Sequence, residues 1–216
     1  GVAAIFGNPG TTEFPLLDAV WESNELPYYL ALHDSVAVGM AHGYAMVSGK
    51  PVLVNLHAGP GLANAMGNLY NAYHSRIPLL VTAGQIDTRL QLFEPPLYAD
   101  LVELARPVTK WAYQVERGED LITATWRALK IALTPPYGPV FLSLPYDVLD
   151  HQVPDEFPRF ERPVTARRVD DADLRKAVEI LRDAESPVFV VGDGVNRARA
   201  VQEVTQLAEA VGARVY

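Results

Sequence analysis

The stretch "FGNPGTTEFPLL", Phe6–Leu17, decides how the chain is read. The apolar run "GVAAIF" has the character of a short buried strand, and it enters a turn containing Gly7 and Gly10. Helical spacing of apolar residues begins within the next few positions, with Thr11 or Thr12 as the cap and Glu13 near the helix N-terminus. The turn lacks the GK[ST] ending of a phosphate loop and the G-x-G-x-x-G spacing of a dinucleotide site. Gly10 still permits a close backbone approach, and the amides after it are free to face an anion. A ligand-facing turn and a plain helix cap both stand at this point.

The same order of strand, turn and helix repeats downstream. "LPYYLAL" is a strand candidate, followed by the helix "DSVAVGMAHGYAMVSG", with Asp34 or Ser35 near its cap and Gly49 as its stop. "PVLVNLH" is a near-continuous apolar strand, "AGPG" turns the chain, and "LANAMGNLYNAYHS" is a helix. "IPLLVTAGQ" is another buried strand, and "DTRLQLFEPPLYADLVELARP" is a loop with a short helix. "VTKWAYQV" is a modest strand, "GEDLITATWRALKIALTPP" an amphipathic helix, and "GPVFLSLPYDVLD" the next strand. Apolar strands that do not alternate, separated by helices, predict an α/β fold with a mostly parallel sheet covered on both faces. Ligands in such sheets bind at the carboxyl ends of the strands. The turns at Gly7–Thr12, His33–Asp34, His57–Gly61 and Gly84–Gln85 are therefore expected along one edge.

After Asp150 the pattern changes to the charged, proline-rich "HQVPDEFPRFERPVTARRVDD", which is expected to link domains. "ADLRKAVEILRDAE", "SPVFVVGDGV", "RARAVQEVTQLAEAVG" and "ARVY" then alternate as helix, strand and turn, helix and strand start. A second α/β domain has begun, and the chain is expected to be a piece of a longer protein. With 18 basic and 26 acidic residues among 216, the net charge of −8 argues against a nucleic-acid partner. The lack of cysteine excludes disulfides, thiolate metal sites and thiol catalysis in this segment and fits a cytoplasmic setting. No apolar run approaches the ~20 residues of a membrane span.

Few residues carry chemistry on their own. His57 ends a very apolar strand, where it needs a hydrogen-bond partner or a ligand. His33 beside Asp34 suits an ion pair, a proton relay or a helix cap, while His42 and His74 are simplest as packing or surface residues. No histidine pair has metal-site spacing, so metal binding by this segment is not expected. "GDGVN", Gly192–Asn196, offers oxygen donors suited to magnesium but equally an ordinary chain reversal. The apolar loop "LQLFEPPLYADL" suits either a substrate cover or an interface.

Together these stretches resemble thiamine-diphosphate-dependent enzymes, closest in pattern to the benzoylformate decarboxylase branch. The resemblance runs over essentially the whole chain. It rests on "FGNPGTTEFPLLDA", "YYLALHDSVAVGMAHGYA", "NLHAGPGLANAMGNLYNA", "PLLVTAGQ", "ARPVTKWAY" and "GPVFLSLPYD" in that order. "ARPVTK" and "GPV" occur also in the acetolactate-synthase branch. The resemblance implies a pyrimidine-binding domain over residues 1–155, a linker over 156–165 and a partial middle domain over 166–216. The C-terminal diphosphate-binding domain would be absent. Thiamine diphosphate is the implied cofactor, with Mg2+ held mainly through that absent domain, so "GDGVN" receives no metal role. The implied assembly is a homo-oligomer, at least a dimer and often a tetramer.

By the same resemblance, Asp34 takes the place of the glutamate that shares a proton with the cofactor's aminopyrimidine ring. Aspartate retains the charge but is shorter by one methylene, about 1.5 Å of reach. A misplacement of about 1 Å can cost ~100-fold in rate. Thr11 aligns with a serine near the substrate carboxylate and retains its hydroxyl. His57 aligns with the active-site histidine, which orients substrate, stabilises the carbonyl-derived oxygen or relays a proton. Pro96 and Leu97 fall where an apolar wall would meet an aromatic 2-oxo acid. The implied reaction is decarboxylation of such an acid to an aldehyde and carbon dioxide. An acetolactate-synthase-like carboligase and a weakly active or noncatalytic cofactor-binding paralogue are the alternatives.

Overall fold

A computed structural model describes residues 1–152, 160–161 and 169–216. The expected linker at 156–165 lies outside the described residues except at positions 160 and 161. Two compact units divide the chain, Gly1–Thr165 and Ala166–Tyr216.

The first unit is built on six strands: β1 (Ile5–Gly7), β2 (Tyr28–Leu30), β3 (Val52–Leu56), β4 (Leu79–Gln85), β5 (Ala112–Gln114) and β6 (Val140–Pro145). They form one all-parallel sheet in the order β2-β1-β3-β4-β6-β5. Both faces are covered, as the non-alternating strands predict. Val52, Val54, Leu56, Leu79, Val81 and Ala83 enter one apolar cluster. The intervening Leu80 joins Val140, Leu142 and Leu144 in a second cluster on the opposite face. Successive strand residues point to opposite faces, so both sets are apolar only because both faces are buried.

Helices α1 (Phe14–Ser23), α2 (Asp34–Ser48), α3 (Ala58–His74), α4 (Leu101–Ala105) and α5 (Leu121–Ala132) connect these strands, and α6 (Tyr146–Leu149) follows β6. Helices α2 and α3 bury Ala37, Val38, Ala41, Leu62, Ala65 and Leu69 in the first cluster, while Ala124, Ala128 and Leu129 of α5 enter the second. Gly49 stops α2 at φ +66°, the left-handed cap that glycine adopts without cost. Lys110 closes α5 by donating from Nζ to the carbonyls of Ile131 and Thr134, and burial lowers its pKa.

One expectation is corrected. "AGPG" is not a separate turn: α3 begins at Ala58 and includes it. Ala58, the first residue of α3, sits at φ +47° in the left-handed region. Pro60 then falls in the first helical turn, where a missing N–H costs nothing.

Chain order reverses at β1, whose neighbours are β2 on one side and β3 on the other. Such a switch point leaves a crevice at the carboxyl ends of the flanking strands. The second unit holds α7 (Asp171–Asp183), β7 (Val188–Phe189), α8 (Asp193–Arg197), α9 (Val201–Val211) and β8 (Arg214–Val215), with β7 and β8 paired in parallel.

Candidate active site

The four turns expected along one edge meet in a web of hydrogen bonds and close contacts. The turn after β1 supplies Asn8, Gly10, Thr12 and Glu13, and the turn after β2 supplies Asp34. His57 follows β3, and Gly84 lies near the end of β4. The site is unusual in burying two carboxylates, with Glu13 1% and Asp34 4% exposed. A buried charge must be hydrogen-bonded to be tolerated, and both are.

Glu13 accepts from three donors and faces the ring of His57. Its Oε1 accepts the Gly84 N–H at 2.8 Å and the Thr12 hydroxyl at 2.7 Å. Its Oε2 accepts the Gly10 N–H at 2.7 Å and lies 2.9 Å from His57 Nδ1. Glycine at positions 10 and 84 is a steric requirement. A Cβ on Gly84 would lie 2.1 Å from Glu13 Oε1, and one on Gly10 would lie 2.2 Å from His57 Cε1. The sequence reading left Glu13 as a charge at a helix end. It does accept the Gly10 N–H in that manner, but its other contacts come from its neighbour Thr12, from His57 just after β3 and from Gly84 of β4. The "TTE" spelling alone holds no signal for those.

Asp34 binds on the opposite side of the same turn. Its Oδ2 accepts from Asn8 Nδ2 at 3.0 Å, and its Oδ1 accepts the backbone N–H of His57 at 3.1 Å. Its place in the first turn of α2 sets the carboxylate against the positive helix end. A Cβ on Gly61 would lie 2.5 Å from Oδ1, so α3 must present glycine there.

Below this edge Tyr28 packs against Gly7 and accepts from Asn55 Nδ2 at 3.3 Å. Burial pushes the Tyr28 hydroxyl up to about 12, opposed by the Asn55 hydrogen bond and reinforced by the charges of Glu13 and Asp34. Asn55 is fully buried on β3, and its Oδ1 lacks a partner among the described residues.

The remaining candidates take distinct positions. Thr11 is exposed at the start of a 3-10 turn, whereas Thr12 is buried against Glu13 and His57. The Pro96–Leu97 loop reaches the same edge: the Leu97 carbonyl accepts the Gly59 N–H at 3.3 Å, at the start of α3. Leu97 holds φ +76° and stays 40% exposed. Such backbone strain in a non-glycine residue costs about 1–3 kcal/mol and persists only where the surroundings enforce it. Asp147 secures the base of this loop through the Thr88 N–H and hydroxyl.

His33 resolves into a helix cap, its Nδ1 accepting from the Ser35 N–H at 3.2 Å. His74 packs against Tyr70 and Tyr73, and burial lowers the pKa of His42. In "GDGVN", Asp193 pairs with Arg197 at 2.8 Å within α8. Among the described residues no cluster of three His, Cys, Asp or Glu could hold a metal ion, and no helix is long and apolar enough to cross a membrane.

Known proteins similar to this chain share one enzyme family. Residues 1–104 match the thiamine pyrophosphate enzyme N-terminal TPP-binding domain, and residues 174–216 match the central domain of the same enzymes. A benzoylformate decarboxylase from Pseudomonas aeruginosa is 38% identical over 97% of this chain and 40% of its own length. Acetolactate synthase isozyme 3 large subunit from Escherichia coli is 31% identical over 98% of the chain and 38% of its own length. The crystal structure of benzoylformate decarboxylase from Polynucleobacter necessarius superimposes with a TM-score of 0.89 at 35% identity, over 99% of this chain and 40% of that one. The chain thus spans about 40% of the length of the relatives it matches.

Proposed function

Since the chain belongs to the thiamine pyrophosphate enzyme family, we propose that the whole protein decarboxylates an aromatic, benzoylformate-like 2-oxo acid to an aldehyde and carbon dioxide. The observation that carries this reading is the convergence of Asp34, His57 and the apolar Pro96–Leu97 loop on the carboxyl edge at the sheet's switch point. Similarity to benzoylformate decarboxylases supports the aromatic substrate.

The residues present fit thiamine diphosphate. Asp34 is a buried acid in a cradle that a Cβ on Gly61 would fill, and each carboxylate oxygen keeps acceptor capacity beyond its one hydrogen bond. When bound, the cofactor supplies the electron sink for decarboxylation. Asp34 holds or shares a proton at the pyrimidine ring. The start of α2 and the two donors fix where its shorter side chain points. His57 orients the substrate at its reacting oxygen or moves a proton there. Thr11, exposed on the turn, offers a hydroxyl to the substrate carboxylate. Pro96 and Leu97 provide an apolar wall that limits water. Magnesium is assigned to parts of the protein outside this chain.

The reading includes a homo-oligomer, at least a dimer. Its support is an exposed apolar stripe on α2, Val36, Met40 and Val47, beside exposed Tyr70 and Tyr73 of α3. A second copy would cover these residues.

The 31% identity to acetolactate synthase favours a second reading, a carboligase that joins two 2-oxo acids. Product analysis of the full-length protein with thiamine diphosphate, magnesium and benzoylformate, phenylpyruvate or pyruvate separates the two. Aldehyde with carbon dioxide is expected from an aromatic acid. Efficient hydroxy-ketone formation without free aldehyde would overturn the decarboxylase reading in favour of the carboligase.

A further inference from the structure

His57 is gripped at two points by two different buried acids. Asp34 Oδ1 accepts its backbone N–H, and Glu13 Oε2 lies 2.9 Å from its ring Nδ1. The ring's Nδ1–Cε1 edge also presses on Gly10, where a Cβ would come within 2.2–2.3 Å of both atoms. The side chain is 26% exposed, against 1% for Glu13. Among the described residues Nε2 has no protein partner, and it is not among the buried polar atoms that lack one.

We infer that Glu13 is a positioning residue that holds His57 as the Nδ1–H tautomer, leaving the Nε2 lone pair toward the pocket. This rests on the role given to His57 in the proposed function.

The argument counts donors and acceptors. A carboxylate only accepts. The Gly10 and Gly84 N–H groups are fixed donors, one to each oxygen of Glu13. The Thr12 hydroxyl occupies a further lone pair of Oε1, at 2.7 Å. Nδ1 must therefore donate to Oε2, since a bare nitrogen facing a carboxylate oxygen would set two lone pairs against each other. Thr12 Oγ1, 3.3 Å from Nδ1, accepts weakly from the same N–H while its own hydrogen goes to Glu13.

The tautomer decides which chemistry is open to the neutral ring. With the proton on Nδ1, neutral His57 accepts a hydrogen bond or a proton at Nε2 and cannot donate to a developing oxyanion there. Donation from Nε2 begins only after that nitrogen has taken a proton, and Glu13 then faces the imidazolium. A histidine free to choose its tautomer would supply an Nε2–H donor in the neutral form. Glu13 thereby makes the neutral ring an acceptor.

The test is 15N NMR of the full-length protein labelled at histidine, recorded without cofactor, with the His57 signals assigned from a His57→Gln variant. The expected wild-type spectrum shows a protonated Nδ1 and an unprotonated Nε2. In Glu13→Leu only the Thr12 hydroxyl still faces Nδ1; released from Glu13, it is able to donate to that nitrogen, and the population shifts toward the Nε2–H form. Glu13→Gln, closer in size, lowers the Nδ1–H population partway. An Nε2–H tautomer in the wild type overturns the inference whether or not the variants fold. An unchanged tautomer in a folded Glu13→Gln or Glu13→Leu variant also overturns it and leaves Glu13 a structural acid. With cofactor and substrate, Glu13→Gln should lower kcat for decarboxylation about 100-fold or more while proton exchange at the cofactor's C2 persists. The tautomer is read without turnover, so a protein that forms no aldehyde but shows the expected spectrum refutes the activity and not the role of Glu13.

Discussion

Two turns in this chain are written in nearly the same letters and do different work. After β1 comes "GNPG", and after β7 comes "GDGVN". Each follows a short parallel strand, enters a helical turn, and offers glycine, asparagine and an acid. In the first, a Cβ on Gly7 would lie 2.1 Å from the Tyr28 hydroxyl, and one on Gly10 would overlap His57. In the second, a Cβ on Gly192 or Gly194 meets nothing within 4 Å. The acids differ likewise: Glu13 is held by donors from three separate segments, while Asp193 pairs with Arg197 of its own helix. Glycine in a turn signals a site only when something else must occupy the space of its side chain.

The largest expected contrast is between the acids. In the full-length protein with cofactor, Asp34→Ala should cut proton exchange at the cofactor's C2 by about 100-fold or more. It should also destabilise the fold by about 1–3 kcal/mol, because the His57 N–H and the Asn8 amide lose their acceptor. Asp193→Ala should change stability by no more than about 0.5 kcal/mol, as at other surface positions. Normal exchange in Asp34→Ala would remove Asp34 from the chemistry. Asp34→Glu sharpens the result: higher activity means that reach limits this site, and lower activity means that the start of α2 has adapted to aspartate.

A smaller contrast is expected from the glycines. Gly84→Ala forces a methyl group against Glu13 Oε1 and should lower stability by about 1–3 kcal/mol, the usual cost of overpacking. Gly194→Ala, inside α8 with open space around it, should raise stability by up to about 1 kcal/mol. Thermal unfolding of the paired variants reads both. Equal melting temperatures would mean that the two turns are packed alike.

How much of this was legible in the sequence follows from the range of the forces involved. Strands β3, β4 and β6 were readable because burial on both faces leaves a continuous apolar run. Their carboxyl ends located the site, since sheet topology puts all the turns on one edge. The start of α3 was misread because "AGPG" spells a turn, whereas Ala58 accepts the left-handed conformation and the proline falls where a helix tolerates it. Glu13 was placed correctly at a helix end, but its partners His57 and Gly84 are 44 and 71 residues away. No local pattern records contacts of that separation. His33 and Asp34 show the same limit: as neighbours in sequence they left an ion pair, a relay and a helix cap open, and the fold turns His33 to Ser35 as the cap and Asp34 to Asn8 and His57.

The smallest effect concerns Tyr28, which has no counterpart beside the second turn. Its hydroxyl pKa is raised from 10.0 to about 12, chiefly by burial. The folded protein therefore keeps this proton over a range in which the unfolded chain has released it. Stability must fall as pH rises between about 10 and about 12, because the unfolded state binds fewer protons there. Below pH 10 the contribution is fully present. Tyr28→Phe removes the titration together with a long hydrogen bond to Asn55, so its cost near neutral pH should be about 1 kcal/mol or less. Denaturant unfolding of both proteins across this range isolates Tyr28, since the other tyrosines titrate in each. The wild type should lose its advantage over Tyr28→Phe steadily above pH 10. A constant difference up to pH 12 would mean that Tyr28 titrates as an exposed phenol, and that the floor beneath Glu13 and Asp34 is open to water.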